Sequence, residues 1–247
     1  VYLPDAGRTA GAPSEAIGRV VPLPDDEAHH LLRVLRRRAG DDVIVFDGRG
    51  REWSARVATA GRKDAALRIG DERVAAVEPP VAVSLAIGVL KGDQMDTVVR
   101  DATALGVRRI LPIVSAHVTV PERAWRSDSA RARWTRVAIA AARQCRRAVV
   151  PDVDPVVSFD SCLDRRADVT LYMAIEPERS VAPRGGDDPR PASAMVLVGP
   201  EGGWSEREVE RARDAGARAI DLGPRTLRAE LVPAVALSAL WTRWGWR

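Results

Sequence analysis

Residues 197–205 read Leu-Val-Gly-Pro-Glu-Gly-Gly-Trp-Ser, an apolar run that breaks into a glycine-rich turn before the charged run that starts at Glu206. Glycines in such a turn tolerate positive φ and let a ligand come against the main chain. The backbone of Gly199–Gly203 is therefore a candidate binding surface. A tight turn with Ser205 as a helix cap accounts for the same residues without a ligand, and both readings stand. Two more loops follow apolar runs in the same way: Glu176-Pro177 after residues 169–175, and Gly223-Pro224-Arg225 after residues 219–222. Neither GxxxxGK[ST] nor a strand-to-helix GxGxxG is found, which argues against the common nucleoside-triphosphate and dinucleotide cradles.

These loops need a frame. From Val81 onward apolar runs alternate with helical patterns: 81–90, 108–114, 169–175, 194–200 and 219–223 as strands, with helices at 93–105, 129–147, 205–215 and from about 224 to the end. That alternation predicts a parallel sheet covered on both faces, whose ligands bind at the carboxyl ends of the strands. Residues 1–76 differ, with strands at 41–47, 53–57 and 65–69 and an Asp47-Gly48 turn. A helix is expected there from Pro24 to about Arg38, capped by Asp25, with Ala28, Leu31, Leu32 and Leu35 on its apolar face. Val77-Glu-Pro-Pro80 reads as a linker. The expected fold is α/β in two domains, a small β-rich one over 1–76 and a parallel-sheet domain over 81–247.

The 247 residues carry a net charge of +4, and all basic side chains except Lys63 and Lys91 are arginine. The arginine fork suits phosphate, although a GC-rich genome also enriches arginine, so only local clusters point to nucleic acid. Two clusters stand out: Arg33, Arg36, Arg37 and Arg38 with Arg49 and Arg51, and Arg143 with Arg146 and Arg147, the second expected near the parallel-sheet domain. A solvated basic face is the plainer account of either. No apolar run approaches the roughly 20 residues that span a bilayer. Two cysteines without a CxxC spacing and three scattered histidines lead us to expect a reduced cytoplasmic protein without a metal.

Four stretches together resemble one family. Gly-Pro-Glu-Gly-Gly-Trp-Ser (199–205) with Glu208, Leu-Gly-Pro-Arg-Thr-Leu-Arg-Ala-Glu (222–230), the LKGDQMD to ILPI region (90–113) and RQCRRAVVP (143–151) resemble the RsmE family of 16S ribosomal RNA uridine-N3 methyltransferases, of the SPOUT class. Residues 33–50 resemble that family's PUA-like RNA-binding domain. The resemblance implies a C-terminal trefoil knot, which chain-topology rules would not suggest, and a homodimer, with the C-terminal helix carrying Leu237, Leu240, Trp241 and Trp244 as a candidate interface. It implies S-adenosylmethionine as cofactor, held by Ala174, Ile175 and Glu176, by Val198, Gly199, Pro200, Glu201, Gly202 and Gly203, and by Leu222, Gly223, Pro224, Arg225 and Leu227. Glu201 is either a polar contact to cofactor or partner, or a carboxylate favoured near the start of the following helix.

The implied reaction is methyl transfer to N3 of a uridine in 16S ribosomal RNA or the small subunit. N3 normally carries a proton, so a base or polarising group is needed. Arg228 is the candidate to stabilise charge on a uracil carbonyl, and Glu230 to accept the proton or orient the base; an ion pair at a helix start is the alternative for both. The two arginine clusters become candidate RNA contacts. The chain departs from the family pattern at Ala104 (Glu in the family), at Ser115-Ala116-His117 (histidine at or beside an arginine position), and at Leu231-Val232-Pro233 (Thr-Ala after Glu230). These departures keep two alternatives open: methylation of another RNA nucleotide, or an RNA-binding protein that has lost catalysis.

Overall fold

The structure, a computed structural model, describes residues 1–4, 6, 17–164, 168–176 and 189–246. Pro177 and most of the proline-rich stretch 183–191 lie outside the described residues. Two compact units are present. The first comprises Val1–Val77 with Ala142–Val150, and the second Glu78–Ala141 with Pro151–Arg247.

In the first unit, β1 (Val20–Pro22), β2 (Asp42–Phe46), β3 (Glu52–Ala60) and β4 (Ala65–Arg73) form an antiparallel sheet in the order β1-β4-β3-β2. Alternation along β3 sends Trp53, Ala55 and Val57 to the buried face, where they pack with Val45, Leu67 and Ile69 and with Ala28 and Leu31. β1 was not expected, because three residues are too few to show a period. The hairpin between β2 and β3 turns on Asp47, whose Oδ1 accepts from the Arg49 and Arg51 N–H groups at 2.8 and 3.1 Å.

The first helix is shorter than its pattern. α1 covers Asp25–His29, a π-helical turn follows over His30–Val34, and Arg36 at φ 52° ends it. Asp25 is not its cap: Pro24 occupies that place, with no side-chain cap bond. Leu35, placed on the apolar face by periodicity, is 43% exposed. The wider π turn rotates it away from the core. Arg36, Arg37 and Arg38 thus lie on a loop rather than on a helix face.

The second unit is a parallel sheet. Its strands are β5 (Ala82–Gly88), β6 (Arg109–Val114), β7 (Asp152–Val153), β8 (Val157–Ser158), β9 (Thr170–Ala174), β10 (Ser193–Val198) and β11 (Arg218–Ile220), in the order β11-β9-β10-β5-β6-β7 with β8 also on β6. Every pairing is parallel. The helices are α2 (Gln94–Ala104), α3 (Asp128–Cys145), α4 (Phe159–Asp164), α5 (Glu206–Asp214) and α6 (Val232–Arg243). On one sheet face Ala86, Leu111, Ile113, Leu171, Met173, Met195 and Leu197 pack against Phe159, Cys162 and Leu163 of α4 and Val209 and Ala212 of α5. Burial pushes the Cys162 thiol up to about 11, so it is an inert core group. On α6 the Trp241 indole N–H donates to the Leu105 carbonyl at the end of α2, at 2.8 Å. Pro233 sits in the first turn of α6, where it costs no helical hydrogen bond. Among the described residues no helix is long and apolar enough to cross a membrane.

The segment 142–150, which includes the last turn of α3, groups with the first unit. Val149 bridges Gly48 and Arg49, Val150 N–H donates to the Gly48 carbonyl at 2.9 Å, and Ala142 and Ala148 pack on Phe46. Arg143 forms an ion pair with the Glu27 carboxylate, which also accepts from the Tyr2 N–H at 3.1 Å. Burial holds the Arg143 guanidinium below the usual arginine range. Removing one partner of a buried pair strands the other, at a cost of about 3 kcal/mol or more. Glu27→Ala is expected to lower the stability of the first unit by about that amount, read as a lower urea midpoint.

Candidate functional site

Parallel strands all end on one edge, and three of those ends build the site. The loops after β9 (Ala174–Glu176), β10 (Gly199–Trp204) and β11 (Asp221–Leu231) enclose an open cleft with about 680 Å³ of free space. Ala174, Ile175, Glu176, Val198, Gly199, Pro200, Glu201, Gly203, Leu222, Gly223, Arg225 and Leu227, all picked out in the sequence, line it. Gly202 and Pro224 do not. Trp204, Asp221, Thr226, Ala229 and Val232 also line it; they were missed, although each lies within two residues of a motif position that was chosen.

Two interactions shape the cleft. Trp204 is 2% exposed, its ring tilted on Phe159, and its indole N–H donates to the Ala174 carbonyl at 2.9 Å. The loop after β10 is thereby pinned to the end of β9. Gly203 then takes φ 68°, and a Cβ there would run into the Glu176 carboxylate. The conformation is what requires glycine, since the Glu176 carboxylate ends a flexible side chain that can turn aside.

Ser205 caps α5 in a reciprocal box: its hydroxyl accepts from the Glu208 N–H, and the Glu208 carboxylate accepts from the Ser205 N–H and hydroxyl, both at 2.9 Å. Glu208 is itself 8% exposed, and its other oxygen accepts from the Ala116 N–H at 2.8 Å. The helix cap and the cleft are therefore features of one loop rather than competing explanations. Glu201 has a contact within the chain as well. Its carboxylate accepts from the Lys91 N–H at 3.1 Å, tying the loop after β10 to the loop after β5, while the residue also lines the cleft.

Arg228 and Glu230 stand just beyond the lining residues. The Glu230 carboxylate accepts from the Gln94 amide at 3.4 Å and lies 3.9 Å from the guanidinium of Arg228, whose side chain is 86% exposed. This is a loose ion pair that leaves the cation open to solvent.

The basic clusters divide by exposure. Arg33, Arg36, Arg37, Arg38, Arg49 and Arg146 are exposed. Arg51 is held by Asp47 and lies over the Trp53 ring, 5.0 Å from its centre. Arg147 is buried and Arg143 is paired with Glu27, so of that trio only Arg146 reaches solvent fully. Arg37, Arg143, Arg146 and Arg147 nevertheless line one recess of the first unit, together with Arg73, which the sequence did not single out. Among the described residues no group of histidine, cysteine, aspartate or glutamate side chains is arranged to hold a metal ion.

The parallel sheet and its three-loop cleft define the chain's class: the RNA methyltransferase domain family matches residues 77–241, and the RNA methyltransferase PUA domain matches residues 23–70. Ribosomal RNA small subunit methyltransferase E of Mycobacterium tuberculosis is 35% identical over 92% of this chain and 89% of its own, and that of Bacillus subtilis 31% over 87% of each. The crystal structure of ribosomal RNA small subunit methyltransferase E from Neisseria gonorrhoeae bound to S-adenosyl methionine superimposes with a TM-score of 0.87 at 33% identity, covering 99% of this chain and 97% of that one. A methyltransferase structure from Legionella pneumophila with bound cofactor S-adenosylmethionine superimposes at 0.82 with 26% identity, over 92% and 93% of the two chains. The chain belongs to the ribosomal RNA small subunit methyltransferase E family.

The indole bond is testable. Trp204→Phe keeps a ring in the core but deletes the donor to the Ala174 carbonyl. The expected loss is about 2 kcal/mol, seen as a lower unfolding midpoint.

Proposed function

We propose that this chain is an S-adenosylmethionine-dependent methyltransferase that methylates N3 of a specific uridine in 16S ribosomal RNA of the small subunit. The observation that carries the reading is the three-loop cleft, in a chain whose relative of known structure, 33% identical, is bound to S-adenosyl methionine. The cleft fits such a group: an open mouth lined by residues from three strand ends, among them Gly199, Gly203 and Gly223, whose backbone carries no Cβ atoms. When bound, S-adenosylmethionine supplies a methyl group activated by its sulfonium.

The protein's own residues supply the rest. Ala174–Glu176, Val198–Gly203 and Leu222–Leu227 hold the cofactor through their main chain. Arg228, open to solvent, stabilises negative charge on a uracil carbonyl as N3 loses its proton. Glu230 orients the base; with its carboxylate engaged by the Gln94 amide and facing Arg228, it is a weaker candidate for accepting the proton. The exposed arginines of the first unit, Arg33, Arg36, Arg37, Arg38, Arg49 and Arg146, contact RNA phosphates, with Arg51, Arg143 and Arg147 supporting that surface from partly or fully buried positions. Phosphate contacts of this kind position RNA without reading its sequence.

We also propose that the C-terminal segment is tied in a trefoil knot and that two copies pair. The knot is favoured by the course of the chain, which passes from β10 across to β11 beside β9 and then sets residues 221–232 against the loops of β9 and β10. The homodimer rests on the family resemblance, with α6 as the candidate interface. A cytoplasmic location is part of the same proposal, favoured by action on ribosomal RNA.

The test is transfer of labelled methyl from S-adenosylmethionine to small subunits lacking the family's modification, with the modified base mapped. Label on N3 of a single 16S uridine is the expected result. Label on another nucleotide would favour the reading motivated by the departures at Ala104, His117 and Leu231. No transfer to subunits or naked RNA, despite bound cofactor, would leave an RNA-binding protein without catalysis.

A further inference from the structure

The reading above leaves the N3 proton without a well-suited acceptor, and a histidine held beside the cofactor loop supplies one. His117 lies in the loop after β6, and its Nδ1 is 2.8 Å from the Gly202 carbonyl oxygen. A carbonyl only accepts, so Nδ1 carries the proton, and in the neutral ring Nε2 keeps a free lone pair. The ring is exposed and open to a macromolecular substrate.

Its placement is constrained from both sides. Gly202 has no space for a side chain, since a Cβ would come within 2.8 Å of the His117 Cβ. One residue earlier, the Ala116 N–H is held by the buried Glu208 carboxylate, itself fixed by Ser205. Gly202 sits between Glu201 and Gly203, both of which line the cleft. The imidazole is therefore held against Gly202, between two residues that line the cleft. Charged groups on the neighbouring elements include Glu201 on the loop after β10, whose carboxylate accepts from the Lys91 N–H, Glu208 on α5, and Asp160, Arg207 and Arg211, which line a recess with Ala116 and Glu208.

We propose that His117 is the proton acceptor for N3 of the target uridine, an inference that rests on the methyl-transfer reading. Nε2 takes the N3 proton as the N3–methyl bond forms and the methyl–sulfur bond breaks, its electron pair remaining on the sulfur. One positive charge is present before the step, on the sulfonium, and one after it, on the imidazolium. The cation keeps its Nδ1–H bond to the Gly202 carbonyl and returns the Nε2 proton to water.

The experiment compares wild type with His117→Ala and His117→Gln, measuring kcat on small subunits against pH, the Kd of S-adenosylmethionine by calorimetry, and the ¹⁵N resonances of the ring. General-base catalysis is worth about 10²–10⁴-fold, so both variants should lose at least about 10²-fold in kcat with the cofactor Kd unchanged. Wild-type kcat should fall on the acid side as Nε2 becomes protonated, and that limb should vanish in the variants. The neutral ring should show a protonated Nδ1 and a bare Nε2. Near-normal kcat in both variants would overturn the role, as would a cofactor Kd that rises in step with lost activity, which would make His117 a loop anchor only. Wild-type protein that labels no uridine N3 would overturn the proposed function, and this role with it.

Discussion

The hydrogen bond from the buried Trp204 indole to the Ala174 carbonyl sets how closely the loop after β10 lies against the end of β9, beyond the ladder that pairs the two strands. Much of the site depends on that distance. With the two loops drawn together, position 203 takes a left-handed turn, which glycine accepts without strain. The turn in turn directs Ser205 into the cap of α5, and the carboxylate of Glu208 then reaches across to the loop after β6. A carboxylate buried there is sustained by three donors and by the positive end of the helix. One short stretch, residues 199–208, thus couples three strand ends and a helix.

The first unit obeys a different constraint. Its antiparallel sheet buries one face through alternation, and residues 142–150, which are distant in sequence, pair with its β2–β3 hairpin turn at Gly48 and Arg49. The Glu27–Arg143 pair joins the two pieces of chain, with Arg143 part of the same recess as Arg37, Arg73, Arg146 and Arg147. An arginine spent on a buried carboxylate is less available to phosphate. The exposed Arg36–Arg38 loop and Arg146 therefore carry more of the proposed RNA contact than the sequence clusters alone suggested.

Much of the parallel-sheet unit was legible in the sequence because its central strands are buried on both faces and read as unbroken apolar runs, as in 81–90 and 194–200. The loops were legible too, since each begins where such a run meets glycine or proline. What was not legible depends on contacts distant in sequence. Nothing local in RQCRRAVV announces that it completes the other unit, and nothing in Leu31–Arg36 announces a π turn that swings Leu35 outward. β1, β7 and β8 are too short to carry a period. Trp204 stood inside the quoted motif, yet its part in the cleft follows from a partner thirty residues away. His117 was visible only as a departure from a pattern, and its significance came from the carbonyl it faces.

The central claim is that the cleft at the ends of β9, β10 and β11 seats the methyl donor. Calorimetric titration of S-adenosylmethionine into wild type and into Leu227→Trp, which fills that cleft from a partly exposed loop position, tests it most directly. The account predicts one site per chain in the wild type and affinity weakened by at least about tenfold in the variant, equivalent to about 1.4 kcal/mol, with the unfolding midpoint unchanged. Equal binding by both proteins would place the cofactor elsewhere and contradict the account.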